Sequence, residues 1–191
     1  VVDRDFYESR NRDFYEQYKA GTLDIHEFLA FALEPLARHT PAELARWHEA
    51  FMAERILPMI GPAARSLVAR HAAQGDLMAI ITATNAFVTA PIARELGVAH
   101  LIATQPEMVE GRYTGRAEGV PCFQAGKVTR LEAWLAARGQ MLESFPESWF
   151  YSDSANDLPL MQRVSHPVAV DPDARLEAVA RERGWPILSL R

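Results

Sequence analysis

The sequence predicts an α/β fold, a parallel β-sheet with helices on both faces, preceded by a small all-helical module. Two observations carry this expectation. Up to Pro58 and Gly61 the 191-residue chain shows helical periodicity and no strand. From there to the C-terminus short apolar strands alternate with amphipathic helices, and such alternation lays parallel strands beneath crossover helices.

The elements follow in order. Asp3–Lys19 reads as a helix carrying Phe6, Phe14, Tyr15 and Tyr18, broken at Gly21. Asp24 can cap a second helix, whose Ile25, Phe28, Leu29, Ala32, Leu33 and Leu36 fall at three- and four-residue steps. Thr40-Pro41-Ala42-Glu43 is a capping box with Pro at the first helical position, opening a third helix towards Ile56. The second part begins with helix Pro62–Gln74, then strand Leu77–Ile81, helix Phe87–Leu96 and strand Leu101–Ala103. Glu107–Arg116 reads as a hairpin turning at Glu110-Gly111, and helix Gly126–Arg138 comes next. Strand Trp149–Tyr151, helix Ala155–Val164, strand Val168–Val170, helix Ala174–Arg183 and strand Ile187–Leu190 complete the pattern. The expected division is residues 1–58 for the helical part and 59–191 for the α/β part. Gly111, Gly115 and Gly119 stand among charged residues and read as turn glycines.

Composition excludes several function classes. The net charge is −5, without a basic stripe, which argues against nucleic acid as the main partner. One small phosphorylated metabolite needs far less positive charge. The single cysteine, Cys122, excludes an intrachain disulfide and a cysteine-based zinc site. No apolar run approaches a membrane span, and the expected setting is soluble and cytoplasmic. The chain opens at Val1 without a Met, so a segment upstream of it is expected.

In a parallel α/β architecture ligands bind at the carboxyl ends of the strands. Strand Leu77–Ile81 ends in Thr82-Ala83-Thr84-Asn85. A hydroxyl with free amides at a helix start can cradle a phosphate, though Thr82 could equally be a helix cap. Lys127 stands at a helix start, where the macrodipole opposes a cation, and otherwise reads as a surface lysine. Strand Trp149–Tyr151 runs into Ser152-Asp153-Ser154-Ala155-Asn156-Asp157. Two carboxylates four residues apart with an amide beside them suit a hard cation such as Mg²⁺. They also suit the first turn of a helix.

A strand-end Thr82, a helix-start Lys127 and the cluster Asp153, Asn156 and Asp157, in that order, resemble motifs two, three and four of haloacid dehalogenase (HAD) superfamily phosphatases. The form DxxND is similar to that of the phosphoserine-phosphatase-like branch, subfamily IB. The resemblance covers essentially the whole chain. It implies a Rossmann-like doubly wound sheet, with the first helices as an inserted cap. It also implies a magnesium-dependent phosphomonoesterase working through an aspartyl phosphate. Thr82 and the Ala83 amide would hold phosphoryl oxygens, and Lys127 would offset charge. Asp153 would bind Mg²⁺, while Asp157 and Asn156 would order its waters or the phosphate side.

Motif one, an apolar strand ending in DxDxT/V, is absent. Asp3-Arg4-Asp5 has the letters, but helical neighbours make it a surface helix start. The nucleophile and the general acid/base are therefore expected outside this chain. Histidinol phosphate and phosphoserine are the candidate substrates. Ala83, Thr84 and Asn85 replace the glycines usual in phosphoserine phosphatases, and are expected to narrow the pocket against phosphoserine. The competing expectation is a non-catalytic phosphate- or metabolite-binding module of the same fold.

Overall fold

A computed structural model describes residues 3–191; Val1, where the chain was expected to continue upstream, lies outside the described residues. The helical part forms largely as its local signals dictate. The Asp3 carboxylate accepts the Phe6 amide and starts α1 (Arg4–Ala20), which stops at Gly21, where φ is 74°. Asp24 accepts the His26 and Glu27 amides at the head of α2 (Ile25–Arg38). Thr40 and Glu43 form the reciprocal capping box of α3 (Pro41–Phe51). The third helix reaches Ile56 only through a widened turn, Met52–Ile56, in which the Leu57 amide bonds the Met52 carbonyl.

Phe14, 2% exposed, sits between Phe28 and Phe31 with ring centroids 5.5 and 5.3 Å away, and this seam joins α1 to α2. The opposite apolar face of α2 buries Leu29, Leu33 and Leu36 with Leu44 of α3, against Phe87, Tyr113 and Ala117 of the α/β part. The module is therefore packed onto the core. Thr40→Ala should lower Tm by about 2–4 °C in thermal unfolding, since an unpaired amide is left at the head of α3.

The α/β part runs α4 (Pro62–Gln74), β1 (Ala79–Asn85), α5 (Ala86–Glu95), β2 (His100–Val109), β3 (Arg112–Glu118), α6 (Ala125–Ala136), β4 (Trp149–Ser152), α7 (Leu158–Met161), β5 (His166–Val170), α8 (Ala174–Arg183) and β6 (Ile187–Leu188). The α/β class is as expected, with β1 parallel to β2, and β4, β5 and β6 parallel to one another. The β2–β3 hairpin turns on Glu110 and Gly111, both at positive φ (49° and 77°), the two-residue geometry that matches strand twist.

Two expectations need correction, one for Gly115 and one for the helix over Ala155–Val164. The sheet itself comes as two three-stranded halves, with no pairing between β1 and β4 among the described residues, in keeping with the absent motif-one strand. Between the halves lies an apolar cleft of about 530 Å³, lined among others by Ile80, Ile81, Leu131, Leu135, Phe150 and Tyr151. Gly115 is no turn residue. It lies inside β3 at φ 82°, where a Cβ would stand 3.3 Å from the Ala37 Cβ and 3.6 Å from the Glu34 Cα of α2. The helix expected over Ala155–Val164 is a 3₁₀ turn, Ala155–Asp157, followed by the four-residue α7. The Leu158 amide bonds the Ala155 carbonyl three residues back, and Pro159 has no N–H to offer that carbonyl the four-residue bond of an α-helix.

Candidate active site

The end of β1 is irregular in a useful way. Thr82 pairs with Ala103 and Asn85 with Thr104, so Ala83 and Thr84 fall out of the ladder with β2. The Thr84 amide turns back to donate to Thr82 Oγ1 at 3.2 Å. Helix α5 is capped by Asn85, whose Oδ1 accepts the Val88 amide at 3.2 Å. The capping role open to Thr82 thus belongs to Asn85. Asn85 is buried, with its amide oxygen engaged in this cap. What remains is a bulged Thr82–Thr84 segment ahead of a helix N-terminus, the geometry that binds anions.

Lys127 is no surface residue. It is 6% exposed in the first turn of α6, and its Nζ lies 2.6 Å from Asp157 Oδ1. The other oxygen of Asp157 accepts the Ser152 hydroxyl at 2.6 Å. A cation at a helix start needs a reason, and this buried carboxylate supplies it. Gly126 lets the turn approach the preceding loop, since a Cβ there would stand 2.1 Å from the Pro121 carbonyl oxygen. That loop is tied to β2 by the Cys122 amide, which donates to Thr104 Oγ1 at 3.0 Å. Burial raises the Cys122 thiol pKa, against the opposing effects of Lys127, Arg130 and the Thr82 amide. Cys122 therefore stays protonated and structural, and it marks the closeness of Thr82 to Lys127.

Asp153 and Asp157 do not face the same way, because no α-helical turn links them. Asp157 is sealed in, whereas Asp153 is exposed at the end of β4. Its carboxylate is paired with no cationic side chain among the described residues. Partial desolvation in its recess is the main cause of a raised Asp153 pKa; its own amide and Lys127 oppose the rise, and Asp157 and Asp173 add to it. An open carboxylate made uncomfortable by neighbouring acids is a good oxygen donor for a hard cation. Among the described residues no group of three His, Cys, Asp or Glu side chains forms a metal site. Asp153 fits as one ligand of such an ion, not as a complete site.

Asn156 is held at both ends of its amide. Its Oδ1 accepts from Gln124 Nε2 at 3.1 Å, and its Nδ2 donates to the Tyr18 carbonyl of α1 at 2.9 Å. Asn156 is 5% exposed and bridges the Gln124 loop to α1 through these two bonds. Ser152, Gln124 and Tyr18 were not picked out from the sequence as site residues. Ser152 could have been, since it adjoins the acidic cluster; nothing in the sequence points to Gln124.

The site thus gathers Thr82, Lys127, Asp153 and Asp157 at the ends of β1 and β4 and the head of α6. The haloacid dehalogenase-like hydrolase family matches residues 3–162. The chain belongs to that family. It is 48% identical over 192 residues to the histidinol-phosphatase of Neisseria meningitidis serogroup C (strain 8013), covering 100% of this chain and 86% of that protein. A solved protein of unknown function from Bordetella pertussis Tohama I superposes with TM-score 0.94 at 49% identity, covering 100% of this chain and 86% of that one. A substrate-bound phosphoserine phosphatase superposes with TM-score 0.68 at 20% identity over 96% of this chain and 80% of that one, a likeness of fold. The HAD chain described here is thus a hydrolase, with phosphatases among its relatives. No helix among the described residues is long and apolar enough to cross a membrane.

Proposed function

We propose that this chain works in a magnesium-dependent phosphatase that hydrolyses a small phosphomonoester, with histidinol phosphate the leading substrate. The observation that supports it best is the sealed Lys127–Asp157 pair beside an open Asp153 and the bulge at Thr82. A fixed positive charge, a strand-end hydroxyl and an exposed carboxylate thus lie at neighbouring strand and helix ends. Residues 1–58 act as the cap that reads the leaving group and excludes water, and residues 59–191 form the core.

The nucleophile enters on an extended segment in the cleft between β1 and β4. Among the described acids near the site, Asp157 is spent on Lys127 and Ser152, and Asp173 on the Ala155 and Leu176 amides. An aspartate oxygen at the end of that segment bonds phosphorus as the ester P–O bond breaks. A second carboxyl gives its proton to the leaving oxygen, then takes one from the water that cleaves the aspartyl phosphate. The Thr82 hydroxyl and Ala83 amide hold phosphoryl oxygens, and Lys127, steadied by Asp157, offsets their charge. Mg²⁺, held in part by Asp153, would supply further neutralisation when bound.

The test is kinetic. In the full-length enzyme, kcat/KM for histidinol phosphate should exceed that for phosphoserine and simple sugar phosphates. Asp153→Asn should abolish magnesium-dependent hydrolysis with Tm little changed. A clear phosphoserine preference would overturn the substrate assignment, and a fully active Asp153→Asn the metal assignment.

A further inference from the structure

The loop ahead of Lys127 contains a backbone strain that the reading above leaves without a purpose. Gln124 has φ 47° and ψ −122°, a region that suits glycine and penalises any Cβ. Glutamine at such a position needs a compensating role for its side chain. Gln124 Nε2 donates to Asn156 Oδ1 at 3.1 Å, and Asn156 Nδ2 donates to the Tyr18 carbonyl at 2.9 Å. This orientation of the Asn156 amide is required, because a carbonyl can only accept. Three elements are thereby tied in series: the loop that carries Lys127, the turn that carries Asp157, and the last turn of α1.

The dock of α1 is built from more than this one bond. Arg175 Nη1 donates to the Lys19 carbonyl at 3.4 Å, and a Cβ at Gly21 would stand 2.5 Å from the same nitrogen. The Tyr18 ring lies 6.0 Å from that of Phe123, Gln124's neighbour. Burial raises the Tyr18 phenol pKa; hydrogen bonds to Ser154 and Asn156 oppose the rise, and Asp157 and Asp153 add to it, which places the phenol beside the site. The last turn of α1 is the point where the helical module meets the chemistry.

We propose that Gln124 is a positioning residue that acts through Asn156 to seat α1 and Tyr18 over the phosphate site. The inference rests on the phosphatase reading. The strained backbone persists because an unstrained loop would aim the Gln124 amide away from Asn156. A closed seat for α1 then coincides with the correct placement of Lys127 and Asp157, since all are held by one chain of amides.

Full-length enzyme carrying Gln124→Gly, Gln124→Ala, Asn156→Ala and the double variant Gln124→Ala/Asn156→Ala tests this. Glycine should be the more stable of the two Gln124 replacements, by about 2–4 °C in Tm, the reverse of the usual order. Both should nevertheless lose kcat equally, by at least about tenfold, because both lack the amide. The double variant should be no slower than Asn156→Ala alone. Additive losses, or kcat that follows Tm, would overturn the proposal. Hydrogen exchange separates its failure from that of the phosphatase reading. In Gln124→Gly the amides of residues 17–22 should exchange faster even if no phosphomonoester is hydrolysed, and unchanged exchange there would sink the seating role.

Discussion

Lys127→Ala in the full-length enzyme should lower kcat by at least about 10²–10³-fold, the usual cost of removing one preorganised charge that meets the transition state. It should also destabilise the fold by about 3 kcal/mol, at the low end for a broken buried ion pair, because Asp157 keeps its Ser152 partner and can take up a proton. The two effects can be told apart. Lys127→Met combined with Asp157→Asn leaves no buried charge and retains an acceptor for the Ser152 hydroxyl, so most of the lost stability should return while activity stays absent. Urea unfolding and steady-state kinetics on the same samples give both readings. Near-normal kcat for Lys127→Ala would remove Lys127 from the mechanism, and recovered activity in the double variant would make its role purely structural.

The second large effect concerns the cleft between β1 and β4. Residues 1–191 expressed alone should be loosely folded or aggregating, and inactive on any phosphomonoester. The inward edges of β1 and β4 have no strand partner among the described residues. Each backbone group left buried and unsatisfied costs about 1–3 kcal/mol, so several together match the whole stability of about 5–15 kcal/mol of an ordinary domain. A chain carrying an apolar strand ahead of these residues should show a sharp cooperative transition, and with an aspartate at the strand end it should hydrolyse phosphomonoesters. Circular dichroism melts, urea m-values and p-nitrophenyl phosphate hydrolysis on the two forms decide it. A well-folded, active 191-residue monomer would refute the placement of the nucleophile and turn attention to Asp153. A stable longer chain that binds phosphate without cleaving it would favour the non-catalytic module.

Much of this was legible in the linear sequence because the interactions that set it are short in range. Asp3, Asp24 and Thr40 with Glu43 cap helices by reaching two or three residues ahead, and Gly21, Gly75 and Gly184 end them with left-handed turns. Helices Pro62–Gln74 and Ala174–Arg183 accordingly start and stop where their own residues dictate. The order of Thr82, Lys127 and the Asp153 cluster was likewise enough to indicate the family, since each motif sits at a strand or helix end that local signals mark. What each side chain of the site touches was decided only by tertiary structure. Asp153 and Asp157 lie four residues apart in sequence, but Lys127 comes from another element to pair with one of them and leaves the other more exposed. Asn156 also reaches a carbonyl 138 residues away, a contact that no local pattern announces. The bulge after Thr82 and the strain at Gln124 have the same origin. They depend on what lies across a strand or a loop, and a residue's own neighbours in the chain carry no record of that.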